Sequence, residues 1–475
     1  MRIKISETIL ISYIVSALLV LVINPSLFPS YSFALLSIVF PLLSRKPLYS
    51  AKNTFLLFVS VSIYIIYLVR PILLALDPKL FSYNEFRLPG EELLSEQLYI
   101  TGLYSFTLLS GLKIGLLGLK SDKWLDEYDV SGNENISIKN SYRSMLFLAS
   151  VLITLRLLLL VFGNVGILGY RSYSSLSFVV RLIPDILIAF IGIAYAIVFR
   201  DVTPQRYKSI AWVVVVLFAA VHLLRGSKAF LLKLFLAAAI MYLIKFEDFS
   251  VSARYIAAGI PALLILSLYS FGIGQIVRYY MISQNGINLH GLYETIADNI
   301  GFSEMFNWLD SISARLVGFE GLVVSSISVP ELVKDNYTVV HIFQSASSMV
   351  VPLDNFTGYS LGVVNSIAYV GLDPSSTHAA ALGLFASYNI LFGNYAFIFV
   401  FLTSVVGGLF LRTLLWSSNG ILKLILLSNC FYFAFIFILS GNMDRLLAMV
   451  TIVTVETFIY ISLFTRLRLL PVKST

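Results

Sequence analysis

The stretch TFLLFVSVSIYIIYLVRPILLAL, residues 54–76, decides the fold class. It runs from Thr54 to Leu76 with one charged side chain, Arg70. A helix crosses the roughly 30 Å hydrocarbon core in about 20 residues, so this run is long enough to span a bilayer. A barrel strand would alternate polar and apolar residues, and this segment does not. With no water to satisfy the backbone, an unbroken apolar run of this length has to be helical. Similar runs recur along the 475 residues, and the composition agrees: 58% hydrophobic, only 12% charged, mean hydropathy +0.87. Soluble domains carry about 25% charged residues. The chain is an all-α polytopic membrane protein.

About twelve spans can be read, near 7–24, 27–44, 54–76, 98–118, 144–163, 177–199, 209–224, 229–246, 255–277, 379–411, 420–440 and 445–465. The tenth is too long for one simple crossing. Gly393 and Asn394 interrupt it, which predicts a short re-entrant helix followed by a true span. Arg2 and Lys4 precede the first run as in a signal peptide, but no small-residue cleavage site follows, so it is expected to remain as a span. No linker or internal repeat divides the chain, and residues 1–475 are read as one domain.

Loop Lys and Arg set the orientation. With the N-terminus inside, the inner loops hold Arg45, Lys46, Lys120, Lys123, Arg200, Arg206, Lys208, Lys245 and Arg254, and the tail adds Arg466 and Arg468. The first outer loop, 77–97, is acidic, with Glu85, Glu91, Glu92 and Glu96. Both termini are expected to be cytoplasmic. One segment, 278–376, then becomes a large extracytoplasmic loop, a length uncommon without a task. Its amphipathic stretch Leu292–Val324 predicts short helices on the outer surface, and Asn307, Trp308 and Tyr337 suit an interfacial layer.

Several cations break the positive-inside pattern. Arg225 and Lys228 fall outside, as do Arg171, Arg278 and Arg315, while Arg70, Arg156 and Arg181 lie in the outer parts of spans. An arginine within a span costs about 2.5–3.5 kcal/mol on insertion scales, so each needs a partner. The ordinary reading is pairing with carboxylates or snorkelling to headgroups. The sharper one is an outer-face site for a lipid-linked pyrophosphate, which guanidinium groups bind through two parallel hydrogen bonds. Asp185, after Pro184, is expected to pair with Arg181, and Asp444 with Arg445 at the surface. Cys430 reads as a small buried hydrophobe. The four histidines have no zinc-site spacing, so no metal is expected. The net charge of +7 is loop charge and not a nucleic-acid footprint.

The turn Arg225-Gly226-Ser227-Lys228 with its following apolar helix resembles the Gly-Ser-Arg-type turn of bacterial oligosaccharide repeat-unit polymerases, the O-antigen polymerase family. Two further stretches look like that family. They are Phe306–Leu316, with Asp310 and Arg315, and Ser375–Gly383, with His378. The second is also similar to the histidine motif of O-antigen ligases. The sequence departs from the family at Lys228, where arginine is usual, and lacks paired Arg-x10-Gly repeats.

The resemblance implies a C-type glycosyltransferase fold in the bacterial cytoplasmic membrane, acting without metal or cofactor. The expected reaction joins undecaprenyl-pyrophosphate-linked oligosaccharide units into surface polysaccharide, with a chain-length regulator protein as a partner. Displacing a pyrophosphate requires positive charge where negative charge develops. Arg225, Lys228, Arg278 and Arg315 can supply it. Activating the acceptor hydroxyl requires a base, for which His378, Asp310, Glu320 and Glu304 are candidates. Ligase-type transfer to a lipid acceptor, and a lipid-linked oligosaccharide flippase, are the alternatives.

Overall fold

The computed structural model describes residues 2–43, 51–81, 90–117, 134–163, 183, 185–200, 203–225, 234–241, 250–284, 289–299, 301, 318–350, 360–371, 382–417 and 420–444, with part of 446–462. Among the described residues the regular structure is helical apart from one strand pair, β1 (Arg2–Lys4) with β2 (Ser250–Ser252), antiparallel, Ile3 opposite Val251.

The helices run in order as follows. First come α1 (Ile5–Ile23), α2 (Phe28–Val39), α3 (Ala51–Ile63), α4 (Val69–Leu76), α5 (Glu91–Gly115), α6 (Glu134–Gly163), α7 (Asp185–Ile193) and α8 (Gln205–Leu224). Then come α9 (Ala253–Gln284), α10 (Leu289–Asn299), α11 (Gly318–Ile327), α12 (Glu331–Asn336), α13 (Val339–Val350) and α14 (Leu361–Val370), and finally α15 (Leu384–Phe392), α16 (Ala396–Ser417) and α17 (Gly420–Ser440). Five helical stretches among the described residues are long and apolar enough to cross a membrane: Pro25–Leu42, Asn53–Leu76, Ser144–Val161, Gln205–Leu224 and Leu384–Thr413.

Among the described residues the most extensive helix packing joins α5 to α16, segments some 300 residues apart in sequence. A Cβ on Gly111 would stand 2.6 Å from the Phe401 carbonyl and 2.8 Å from the Ser404 side chain. One on Gly115 would press on the Val405 carbonyl and the Gly408 backbone. Contacts advance together along both helices, so the two run parallel. Without a hydrophobic drive between helices in lipid, small residues four apart let backbones approach. Gly111 and Gly115 on one side, with Ser404 and Gly408 on the other, do this here. At the same end of the bundle, Lys113 Nζ donates to the Pro41 (2.6 Å) and Leu43 (3.2 Å) carbonyls, and Arg412 donates to the Leu117 carbonyl. These caps, and the strand pair, join segments that loop charge assigns to the inner face.

Two expectations about the 278–376 segment are corrected. Gly318–Ile327 is not a surface helix. Phe319, Glu320, Leu322, Val323 and Val324 are fully buried. Its one ionic group is neutralised internally, and the rest of the helix is apolar or small, so nothing holds it in water. Tyr337 is not interfacial either. It is buried, with its hydroxyl donating to Asn365 Oδ1 at 3.1 Å.

Candidate functional site

The site begins with a defect in a helix. Between α3 and α4 the chain makes a π-turn over Tyr64–Leu68, the Val69 N–H reaching back to the Tyr64 carbonyl. Pro71 follows and removes another helical donor. Such bulges re-aim side chains and recur at functional positions. Here Tyr67 and Arg70 both point into protein and are fully buried.

Arg70 Nε lies 2.6 Å from Glu320 Oε1, with both side chains 0% exposed. A second guanidinium nitrogen donates to the Leu80 carbonyl. The pair joins residues 250 apart in sequence, tying the span 53–76 to α11. Glu320 sits in the first turn of α11, where the helix dipole also favours a carboxylate. Pairing is thus the outcome for Arg70. Arg156 finds a different partner, the Ile183 carbonyl at 2.9 Å, just before Pro184.

Beside this pair two half-length helices meet. α11 and α15 are about 15 Å and 13 Å long at 1.5 Å per residue, roughly half a bilayer core. Their starts cross closely. Gly383, at φ +85, brings a would-be Cβ to 2.6 Å from the Gly318 Cα, and Gly321 packs against the Leu382 carbonyl. Gly441, at φ +58, closes the same knot against the Gly383 carbonyl carbon. Only glycine adopts these angles at no steric cost and leaves room for the crossing. The Phe385 N–H then donates to the Tyr67 hydroxyl at 3.0 Å, and the two rings pack tilted, with centroids 4.4 Å apart.

The interruption at Gly393 is a reversal. The Tyr388 hydroxyl and Thr403 Oγ1 are 2.6 Å apart, though 15 residues along a straight helix would separate them by about 22 Å. Phe392 stacks on Phe399 at 3.9 Å across the turn. Residues 384–413 therefore form a short helix folded onto a long one.

Next to the knot, from Asn442 onward, lies a buried polar cluster. Asp444 is fully buried, accepting from Ser345 Oγ (2.7 Å) and from the Leu361 N–H (2.9 Å) that opens α14. Asn365 Nδ2 donates to Tyr337 Oη (3.0 Å) and to Asn442 Oδ1 (3.3 Å). Burial pushes the Tyr337 phenol well above its ordinary value, so it stays a neutral donor. Asp444 is thus no surface group. It anchors the 331–370 segment to the chain that follows α17.

On the other side of Arg70 and Glu320, a cavity of about 290 Å³ is bounded by Pro71 and Phe319, their immediate neighbours, and by Asn24, Gly90 and Glu91. The Glu91 carboxylate accepts from Asn24 Nδ2 (2.9 Å) and Ser26 Oγ (2.6 Å), which hold it below the usual carboxylate range. The cavity thus lies next to the ion pair in sequence, through Pro71 and Phe319, and Pro78, Gly90 and Glu91 of the 77–97 segment help to line it.

Of the predicted cations, Arg225 caps α8 and Arg278 lies near the end of α9, and both are partly buried. Burial pushes the Arg225 guanidinium down to about 10 and lowers Arg278 as well. Both remain charged at neutral pH. The two helices pack together. Arg278 is about 39 Å along the helix from the strand pair, so it lies at the end opposite β1 and β2. His378, Asp310, Glu304, Arg315, Lys228, Arg171 and Arg181 lie outside the described residues, as does the side chain of Asp185. Glu320 is described, and its carboxylate is committed to Arg70.

No protein-family model matches this sequence, and neither a characterised protein nor a solved structure matches it. Sequence reading missed the Arg70–Glu320 pair as a pair, the polar cluster around Asn365, and the glycine crossing. A rare carboxylate in an otherwise apolar segment, Gly318–Ile327, was the available signal for the first.

Proposed function

We propose that the protein is a membrane glycosyltransferase of the repeat-unit polymerase kind, with twelve spans and both termini in the cytoplasm. It would transfer a growing oligosaccharide from its undecaprenyl pyrophosphate to the hydroxyl of an incoming lipid-linked unit on the outer face. The observation that carries this reading is the pair of partly dehydrated arginines, Arg225 and Arg278, on adjoining helices α8 and α9. A cation removed from water interacts more strongly with an arriving anion, and it needs no reorganisation as charge grows on the departing pyrophosphate. Lys228 and Arg315 are further cations that the sequence assigns to the outer face.

In this reading Arg70 and Glu320 position the scaffold. Glu320 would have to leave a buried cation to act as a base, so the proton falls to His378 or Asp310. The half-length helices α11 and α15 favour a second reading, a lipid-linked oligosaccharide flippase, because discontinuous helices line the substrate paths of transporters.

One reconstitution separates the two. Purified protein in liposomes receives lipid-linked repeat units in one leaflet, and the products are sized and their leaflet probed. A polymer ladder that Arg225→Ala reduces about thirtyfold or more, and that Arg206→Ala leaves intact, supports the polymerase. Single units that only change leaflet support the flippase, and single units that neither join nor change leaflet would sink both readings.

A further inference from the structure

At the elbow between α7 and α8, a second cavity of about 340 Å³ has walls of distinct chemistry. α7 continues through a π-turn, Ala194–Val198, whose Phe199 N–H reaches the Ala194 carbonyl five residues back. Thr203 closes the elbow on the Phe199 carbonyl through both its N–H (3.0 Å) and its hydroxyl (2.7 Å). The two helices touch at Gly192, where a Cβ would meet Val215 at 2.9 Å and Val214 at 3.2 Å. Between that contact and the elbow, both helices line the cavity.

One wall is apolar, Ala196 and Ile197 of the π-turn. The other is the face of α8 carrying Gln205, Lys208, Ser209 and Trp212, spaced as neighbours on one helical stripe. Arg200 completes the mouth. Among the described residues no carboxylate lies within ion-pair distance of Arg200 or Lys208. The Trp212 ring is 49% exposed beside the cavity, as suits a residue at headgroup level. Two cations, a hydroxyl and an amide thus face a space of ligand size that is apolar on its far side. A phosphate ester with an apolar tail meets all of these walls. A free inorganic anion would leave the Ala196 and Ile197 wall and the Trp212 ring unused.

We propose that this cavity binds the phosphate headgroup of an anionic membrane phospholipid. Arg200 and Lys208 hold the phosphate oxygens, Ser209 and Gln205 hydrogen-bond the headgroup, and Trp212 with Ile197 covers the upper acyl chain. The site belongs to the face that loop charge assigns to the cytoplasm, where anionic lipid attracts Lys and Arg. It is independent of the outer-face chemistry proposed above.

The test is lipid retention by the full-length protein, purified in mild detergent, stripped, and then incubated with phosphatidylglycerol or phosphatidylcholine before native mass spectrometry. The expected result is one retained phosphatidylglycerol and no retained phosphatidylcholine. Arg200→Ala and Lys208→Ala should each weaken retention about fivefold, the effect of one cation at a lipid surface. Arg206→Ala removes the same charge from the neighbouring position outside the cavity and should change nothing. Quenching of tryptophan fluorescence by acyl-brominated phosphatidylglycerol, lost in Trp212→Phe, reports the lipid at this wall even if a cation variant folds poorly. Equal loss in Arg206→Ala, retention indifferent to headgroup, or quenching unchanged in Trp212→Phe would overturn the proposal. Displacement of the lipid by millimolar inorganic phosphate would overturn it too, by assigning the site to the free ion.

Discussion

Replacing Glu320 by glutamine strands Arg70 in the protein interior. The perturbation is small in volume, so its effect is electrostatic. The pair is 2.6 Å apart and neither side chain touches solvent, so Arg70 cannot recover by hydration. The Leu80 carbonyl remains as a neutral acceptor. Breaking one partner of a buried pair costs about 3–5 kcal/mol. An unpaired arginine in a span independently costs about 2.5–3.5 kcal/mol. The two estimates agree near 3 kcal/mol, so Glu320→Gln and Arg70→Met should each lose about that much. The double variant Arg70→Met/Glu320→Leu removes both charges and should return to within about 1 kcal/mol of the parent, or exceed it. The assay is the unfolding free energy from denaturing-detergent titration in mixed micelles, with polymer formation measured on the same preparations. A loss under about 1 kcal/mol for Glu320→Gln would refute the buried pair. Unchanged stability with abolished polymer would make Glu320 the base and His378 a bystander.

Arg225→Ala should lower polymer yield by about 2–4 kcal/mol of transition-state stabilisation, and Arg225→Lys should still be damaging because the planar fork is gone. Rates from reconstituted protein, matched for expression, check both. His378→Ala should slow turnover about a hundredfold without loss of protein from the membrane, and near-normal polymer would move the role to Asp310. An impermeant thiol reagent should label Ser227→Cys and Tyr293→Cys from outside intact cells, Tyr293 being 72% exposed. Labelling only after permeabilisation would invert the topology. Gly111→Leu should push α5 from α16, since its Cβ alone would stand 2.6 Å from the Phe401 carbonyl, and the variant should fail to give monodisperse protein in detergent.

Composition and run length determined a great deal. The long, nearly uncharged segments required helices, because a backbone in lipid has no other way to satisfy its polar groups. The same patterns located the break at Gly393 and marked Arg70 and Arg156 as needing partners. These are local properties, set by a residue and its near neighbours. What the partners are is not local. Glu320 lies 250 residues from Arg70, and nothing between them fixes the pairing. Its segment reads as part of an outer loop until the fold buries it. Asp444 reads as a surface group beside Arg445, and only the approach of Ser345 and the start of α14 encloses it. The reversal at Gly393 likewise needed the Tyr388–Thr403 contact to be told from a kink. Sequence fixes the cost of leaving a charge or a backbone break in an apolar setting. Tertiary structure decides which distant group relieves that cost, because burial and pairing depend on chain crossings that no single segment encodes.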